Sequence, residues 1–233
     1  MYTIVVVNLQ TSNTKLIFDF DSTFVTVEAL DELAAISLAH APDKEKRIAA
    51  ITDITARGMA GELSFGESLA RRFEQLTPTK QHVDRLISLL KQSVSPSYAA
   101  HESYLQANAE SIWIISGGFS DVIIPVVTEY GLLPNHVLAN HFVWDSPGQT
   151  AVGYSHDSPL AHTGGKIKAL QSLNFPHSAS IVMVGDGMTD YLVRGVGAAD
   201  VFIAYTETIR REPTVAVADY AAASFDDVLA YVA

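Results

Sequence analysis

Three short apolar runs, each stopping at acids or at a polar and glycine-rich turn, constrain what this chain can fold into. They are Lys15–Phe20 (KLIFDF), Ile112–Ser116 (IWIIS) and Ile181–Gly185 (IVMVG). Continuous rather than alternating apolar residues are the pattern of strands buried on both faces, as in a parallel sheet. Val201–Ala204 and Val215–Ala218 read as weaker strands. Helical periodicity fills most of the gaps, and this alternation predicts an α/β domain around a parallel sheet.

The first gap is too long for one crossover helix. Roughly ninety residues separate the first two strands, and apolar residues recur there at helical spacing: Val27, Leu30, Leu33, Ala34 and Leu38, then Phe65, Leu69, Phe73 and Leu76, then Val83, Leu86, Ile87 and Leu90. The expected organisation is an α/β core at residues 1–23 and 96–233, with a helical insert at 24–95 above the strand ends and Pro96 near its return. Ser120 and Asp121 are placed to cap a helix ending near Gly131, with Pro125 just after its first turn or at a kink. Residues 137–153 read as a small β-hairpin turning at Pro147-Gly148, and residues 1–14 as an added strand.

Composition narrows the function. With 15 Lys+Arg against 26 Asp+Glu the formal charge is −11, a poor match to nucleic acid or to an anionic membrane surface. There is no cysteine, which excludes disulfides, thiolate metal sites and a Cys nucleophile. The N-terminal apolar run, Ile4 to Val7, is too short for a signal peptide, and no membrane span is expected, so a cytoplasmic location is the default expectation. An acidic chain that binds phosphate must supply positive charge locally.

Four clusters meet that need. Asp19 and Asp21 stand two residues apart where the first strand ends, a pair able to bind a hard cation through oxygen, with one carboxylate attacking phosphorus while the other moves a proton. Ser116-Gly117-Gly118 offers a hydroxyl and glycine amides for a phosphate cradle. Lys166 follows two glycines at a helix start and supplies a point charge for phosphate. In Gly185-Asp186-Gly187-Met188-Thr189-Asp190, one acid can complete a Mg²⁺ shell while the other orients Lys166 or a metal-bound water. Each cluster alone is more often an ordinary turn or helix start; together they make a nucleophile, a proton shuttle, a metal site and phosphate donors.

The order DxDxT, Ser, Lys, GDxxxD resembles the signature of the haloacid dehalogenase superfamily. Within that superfamily LIFDFDST, ALDELA, RGMAGELSFGESLARRF, IISGGF, GGK, VGDGMTD and FIAYTETIRRE are most similar to the phosphoserine phosphatases. The resemblance implies a Rossmann-like doubly wound parallel sheet core with a small helical cap domain inserted after the first catalytic strand. It implies that Asp19 becomes an aspartyl phosphate and that Asp21 is the acid and base. Asp19, the backbone carbonyl of Asp21 and Asp186 would hold Mg²⁺, with Asp190 behind them. Ser116, Gly117 and Lys166 would hold the phosphoryl oxygens, and Thr189 would also bind the substrate. In the cap, Glu28 would read an ammonium, Arg72 a carboxylate, and Met59 and Phe65 would close over a small phosphorylated metabolite. Other small phosphomonoesters, transfer to an alcohol acceptor, a phospho-accepting signalling module and a non-catalytic binder stay open, as does the choice between monomer and homodimer.

Overall fold

The computed structural model describes residues 13–59 and 62–233. The expected N-terminal strand therefore lies largely outside the described residues. Six strands form one wholly parallel sheet: β1 Thr14–Phe18, β2 Ile112–Phe119, β3 Val137–Asn140, β6 Ser180–Gly185, β7 Val201–Tyr205 and β8 Tyr220–Ala222, in the order β3-β2-β1-β6-β7-β8. The order reverses at β1, so β1 and its neighbours β2 and β6 frame the crevice at which open α/β sheets bind ligands.

The strands are buried on both faces, as their continuous apolar sequence requires. In β1, Leu16 and Phe18 point into one cluster and Ile17 into the other. The second face is covered by α8 Gly165–Ser172 and α9 Met188–Gly195, through Ala169, Leu170 and Val193. The first is covered by α5 Pro96–Ala100, α7 Ser120–Val127 and α11 Phe225–Val232, with α6 Glu102–Ala107 beside them. Phe18 is fully buried there, with its ring 5.2 Å from Tyr98 and 5.7 Å from Phe225.

Between β1 and β2 lie α1 Ala29–Ser37, α2 Lys44–Met59, α3 Phe65–Phe73 and α4 Lys80–Gln92. The apolar stripes read from sequence are their inner faces: Leu33, Leu69, Phe73, Leu86 and Leu90 are buried. Ser64 and Thr79 begin α3 and α4 with reciprocal capping bonds to Glu67 and His82. Two linkers tie these helices to the sheet. They pair through an antiparallel bridge between Val25 and Val94 and through Thr26 N–H donating to Ser93 C=O at 2.7 Å.

Several sequence expectations are corrected. Val215–Ala218 is not a strand: α10 Glu212–Val215 runs through its start, with Pro213 in the first turn, and the strand follows at Tyr220–Ala222. Residues 137–153 divide between the edge strand β3 and a separate hairpin of β4 Phe142–Trp144 and β5 Ala151–Tyr154, whose turn holds Gly148 at φ +83°. Asp121 does not cap α7. It accepts from Phe142 N–H at 3.0 Å and Trp144 Nε1 at 3.4 Å and so pins the hairpin. Pro125 lies inside α7, which passes into a 3₁₀ turn ended by left-handed Gly131.

Replacing Phe18 by Ala removes a ring packed on two others, and the expected loss is about 3–5 kcal/mol in urea unfolding.

Candidate active site

Asp19 follows β1 directly, and its N–H donates to Val184 C=O of β6 at 2.9 Å, which sets it at the crevice. Its carboxylate accepts from Phe20 N–H at 2.7 Å and pairs with Lys166 Nζ at 2.7 Å. The chain then turns sharply, with Ser22 at φ +54° and Val25 N–H donating to Phe20 C=O at 3.0 Å. The turn buries the Asp21 carboxyl, which accepts from Ala29 N–H at 2.9 Å. Burial first, and the Glu28 charge second, hold Asp21 well above the usual carboxylate range. It lies beside the carboxylate that is ion-paired with Lys166.

Lys166 opens α8 after Gly164, which is left-handed at φ +72°. A Cβ at Gly165 would sit 2.2 Å from Pro159 O, so only glycine lets the helix start this close to the preceding turn. The ammonium bridges Asp19 and Asp190, at 2.7 and 2.6 Å. Burial works against its charge, but the two carboxylates outweigh burial and raise its pKa. Asp190 is wholly buried and also accepts from Gly187 N–H at 3.1 Å. A side chain on Gly185 would meet the Asp190 carboxylate at 2.3 Å.

Asp186 follows β6 and faces Asp19. Burial, then the Asp19 charge, raises its pKa. Thr23 Oγ1 donates to it at 3.4 Å. Oxygens of Asp19, Asp186 and Asp190 lie within 4.8 Å of one another. Lys166 bridges Asp19 and Asp190, and Arg211 holds Asp186, so each of the three already faces a cationic side chain. An all-oxygen donor set suits a hard divalent ion, and the crowding of carboxylates supplies the reason to bind one.

Ser116 is buried within β2, three residues before its end, and its Oγ accepts from Gly118 N–H at 3.0 Å. Asn140 Nδ2 holds Gly117 C=O at 2.8 Å. Phe65, at the start of α3, covers Gly117 so closely that a Cβ there would lie 2.4 Å from its ring. Phe65, Gly117, Lys166 and Thr189 line one cavity of about 60 Å³, together with His162 and Leu192.

Thus Asp19, Asp21, Ser116, Gly117, Lys166, Asp186, Thr189, Asp190 and Phe65 gather at one crevice. Glu28 joins them from the start of α1, where its carboxylate accepts from Ser22 Oγ at 2.7 Å. Arg72, expected to read a substrate carboxylate, donates from Nε to Ser68 C=O of its own helix at 3.4 Å, and its charge acts on Asp31 in α1. The Met59 side chain lies outside the described residues. The guanidinium of Arg211 lies 3.9 Å from Glu28, and its Nε holds Asp186 at 2.7 Å. Arg211 was not singled out from sequence. Its signal is its place in the loop that leaves the carboxyl end of β7.

A divalent cation at 100 times its dissociation constant should raise the unfolding free energy by about 2.7 kcal/mol. Thermal melts with and without chelator should show that gain, and Asp186→Asn should lose it.

Comparison with known proteins agrees with this geometry. The model of the family described as haloacid dehalogenase-like hydrolase matches residues 16–193. The chain is 32% identical over 213 residues to the chloroplastic phosphoserine phosphatase of Arabidopsis thaliana, covering 91% of this chain and 69% of that protein. It is 31% identical to the phosphoserine phosphatase of Mus musculus, covering 84% of this chain and 82% of that one. The crystal structure of a phosphoserine phosphohydrolase-like protein from Francisella tularensis superposes with a TM-score of 0.81 at 27% identity, over 94% of this chain and 100% of that one. The chain belongs to the haloacid dehalogenase-like hydrolase family, as a phosphoric monoester hydrolase allied to the phosphoserine phosphatases.

Proposed function

We propose that this hydrolase releases phosphate from O-phosphoserine, with Mg²⁺, through an aspartyl phosphate on Asp19. The observation that carries the reading is the Asp19 and Asp21 pair. One carboxylate is ion-paired with Lys166 at the crevice, while burial and the Glu28 charge raise the pKa of the other, two residues on. A nucleophile and an acid side by side are what ester cleavage at phosphorus requires.

In this mechanism an Asp19 oxygen attacks phosphorus in line and forms the new O–P bond. The bond to the serine oxygen breaks as Asp21 gives that oxygen its proton. Water then attacks phosphorus, Asp21 takes the water's proton, and the Asp19 O–P bond breaks to free inorganic phosphate. Lys166, Ser116 and the Gly117 amide bind the phosphoryl oxygens, and Thr189 borders them. Asp190 holds Lys166 on target. Asp19, Asp186 and the Asp21 carbonyl would hold a divalent cation, which would supply charge that offsets repulsion between carboxylate and phosphate dianion.

Residues 24–95 act as a cap that selects the substrate. Glu28 suits an ammonium, and the guanidinium of Arg72 or of Arg211 suits a carboxylate, a pairing that fits a zwitterion. Phe65 walls the phosphoryl site. The similarity to named phosphoserine phosphatases supports the same substrate.

Phosphate release measured over a panel of small phosphomonoesters with Mg²⁺ should favour O-phospho-L-serine. Asp19→Asn should abolish turnover, and Asp21→Asn should lower kcat by about 10²–10⁴. Release from another ester that still depends on Asp19 would keep the chemistry and reject the substrate.

A further inference from the structure

A second polar cluster lies away from the crevice, where the returning linker of the helical insert meets the end of β7. Ser95 Oγ and Ser97 Oγ each donate to Glu207 Oε2 at 2.5 Å, and Tyr205 Oη donates to the same oxygen. Ser97 N–H donates to Glu207 Oε1 at 3.2 Å. The hydroxyls crowd one another: Tyr205 Oη is 2.8 Å from Ser97 Oγ and 3.0 Å from Ser95 Oγ. Ser95 and Tyr205 are fully buried.

Three hydroxyls this close need a common acceptor for their protons, and an ionised carboxylate is the group that accepts from all of them without donating back. Burial pushes the Glu207 carboxyl up, yet the bonds from Ser95, Ser97 and Tyr205 outweigh it and hold its pKa low. Glu207 is half-buried, so the carboxylate faces the three hydroxyls on one side and stays open to water on the other.

Its position says what it secures. Ser95 N–H also donates to Phe24 C=O of the outgoing linker at 2.9 Å, and Ser97 Oγ accepts from Phe225 N–H at 2.8 Å. Glu207 thus fixes the crossing of the two linkers that join α1–α4 to the sheet. Four residues on, the same loop carries Arg211 to Asp186 and Glu28.

We propose that Glu207 is a positioning residue, a latch on the hinge of the helical insert that sets how α1 and α3 present Glu28 and Phe65 to the crevice. It touches no reacting atom; it acts through the linker at Ser95–Ser97 and through the loop that ends in Arg211. The inference rests on the reading of the insert as a cap over the substrate.

The test uses the full chain with Glu207→Gln, which keeps size but removes the charge, and Glu207→Asp, which keeps the charge. In wild type and Glu207→Gln without ligand, hydrogen exchange should accelerate in the Gln variant at residues 24–28 and 93–97 and in α3, with β1 and β6 unchanged. With O-phosphoserine and Mg²⁺, KM should rise about tenfold, as when the closed arrangement falls to about one part in ten. The pH profile of kcat/KM should keep its shape, and Glu207→Asp should recover part of the loss. Exchange that is unchanged at the linkers, or that rises equally in β1 and β6, overturns the latch and leaves Glu207 a general stabiliser. If wild type does not cleave phosphoserine, the substrate reading fails, and the exchange result still decides the latch.

Discussion

The site is organised by one buried ammonium held between two carboxylates. Lys166 bridges Asp19 at 2.7 Å and Asp190 at 2.6 Å, and so joins the end of β1 to the starts of α8 and α9. Removing either carboxylate would leave a buried charge partly unpaired, which is why such bridges fix geometry more reliably than they add stability. The glycines follow from it: α8 can begin against Pro159 only at Gly165, and Asp190 can reach inward only past Gly185.

The same bridge leaves the crevice with surplus negative charge. Asp19, Asp186, Asp190 and Glu28 face Lys166 and Arg211, and burial and mutual repulsion raise the pKa of Asp21, Glu28, Asp186 and Asp190. This resolves how a chain of net charge −11 handles phosphate. It needs no broad basic surface. Lys166, Arg211, the Ser116 hydroxyl and glycine amides at the switch point of the sheet gather donors locally.

Much of this was legible in the sequence because the signals were strong and local. β1, β2 and β6 announce themselves by apolar runs that end in Asp19, Ser116 and Gly185, and the site lies at those ends. The stripes of α1, α3 and α4 were legible because each buries one face. What escaped notice is long-range or weak. α2 carries no comparable stripe. β8 is three residues long at the sheet edge, and the preceding apolar stretch 215–218 drew the reading away from it. Val137–Asn140 joins the main sheet because β2 runs beside it, which no local pattern records. The loop from Glu207 to Arg211 was legible only as part of the stretch FIAYTETIRRE, which names no contact for either residue. Its partners, Ser95, Ser97, Glu28 and Asp186, come from more than twenty residues away or across the whole insert.

The central claim is that Asp19 bonds covalently to phosphorus. The most direct measurement is rapid acid quench of the enzyme turning over O-phosphoserine, followed by borohydride reduction and peptide mass spectrometry. The account predicts a phosphoryl adduct on the peptide containing Asp19, converted by reduction to homoserine at that position. Turnover with no adduct on Asp19, or with an adduct on another residue, would contradict it.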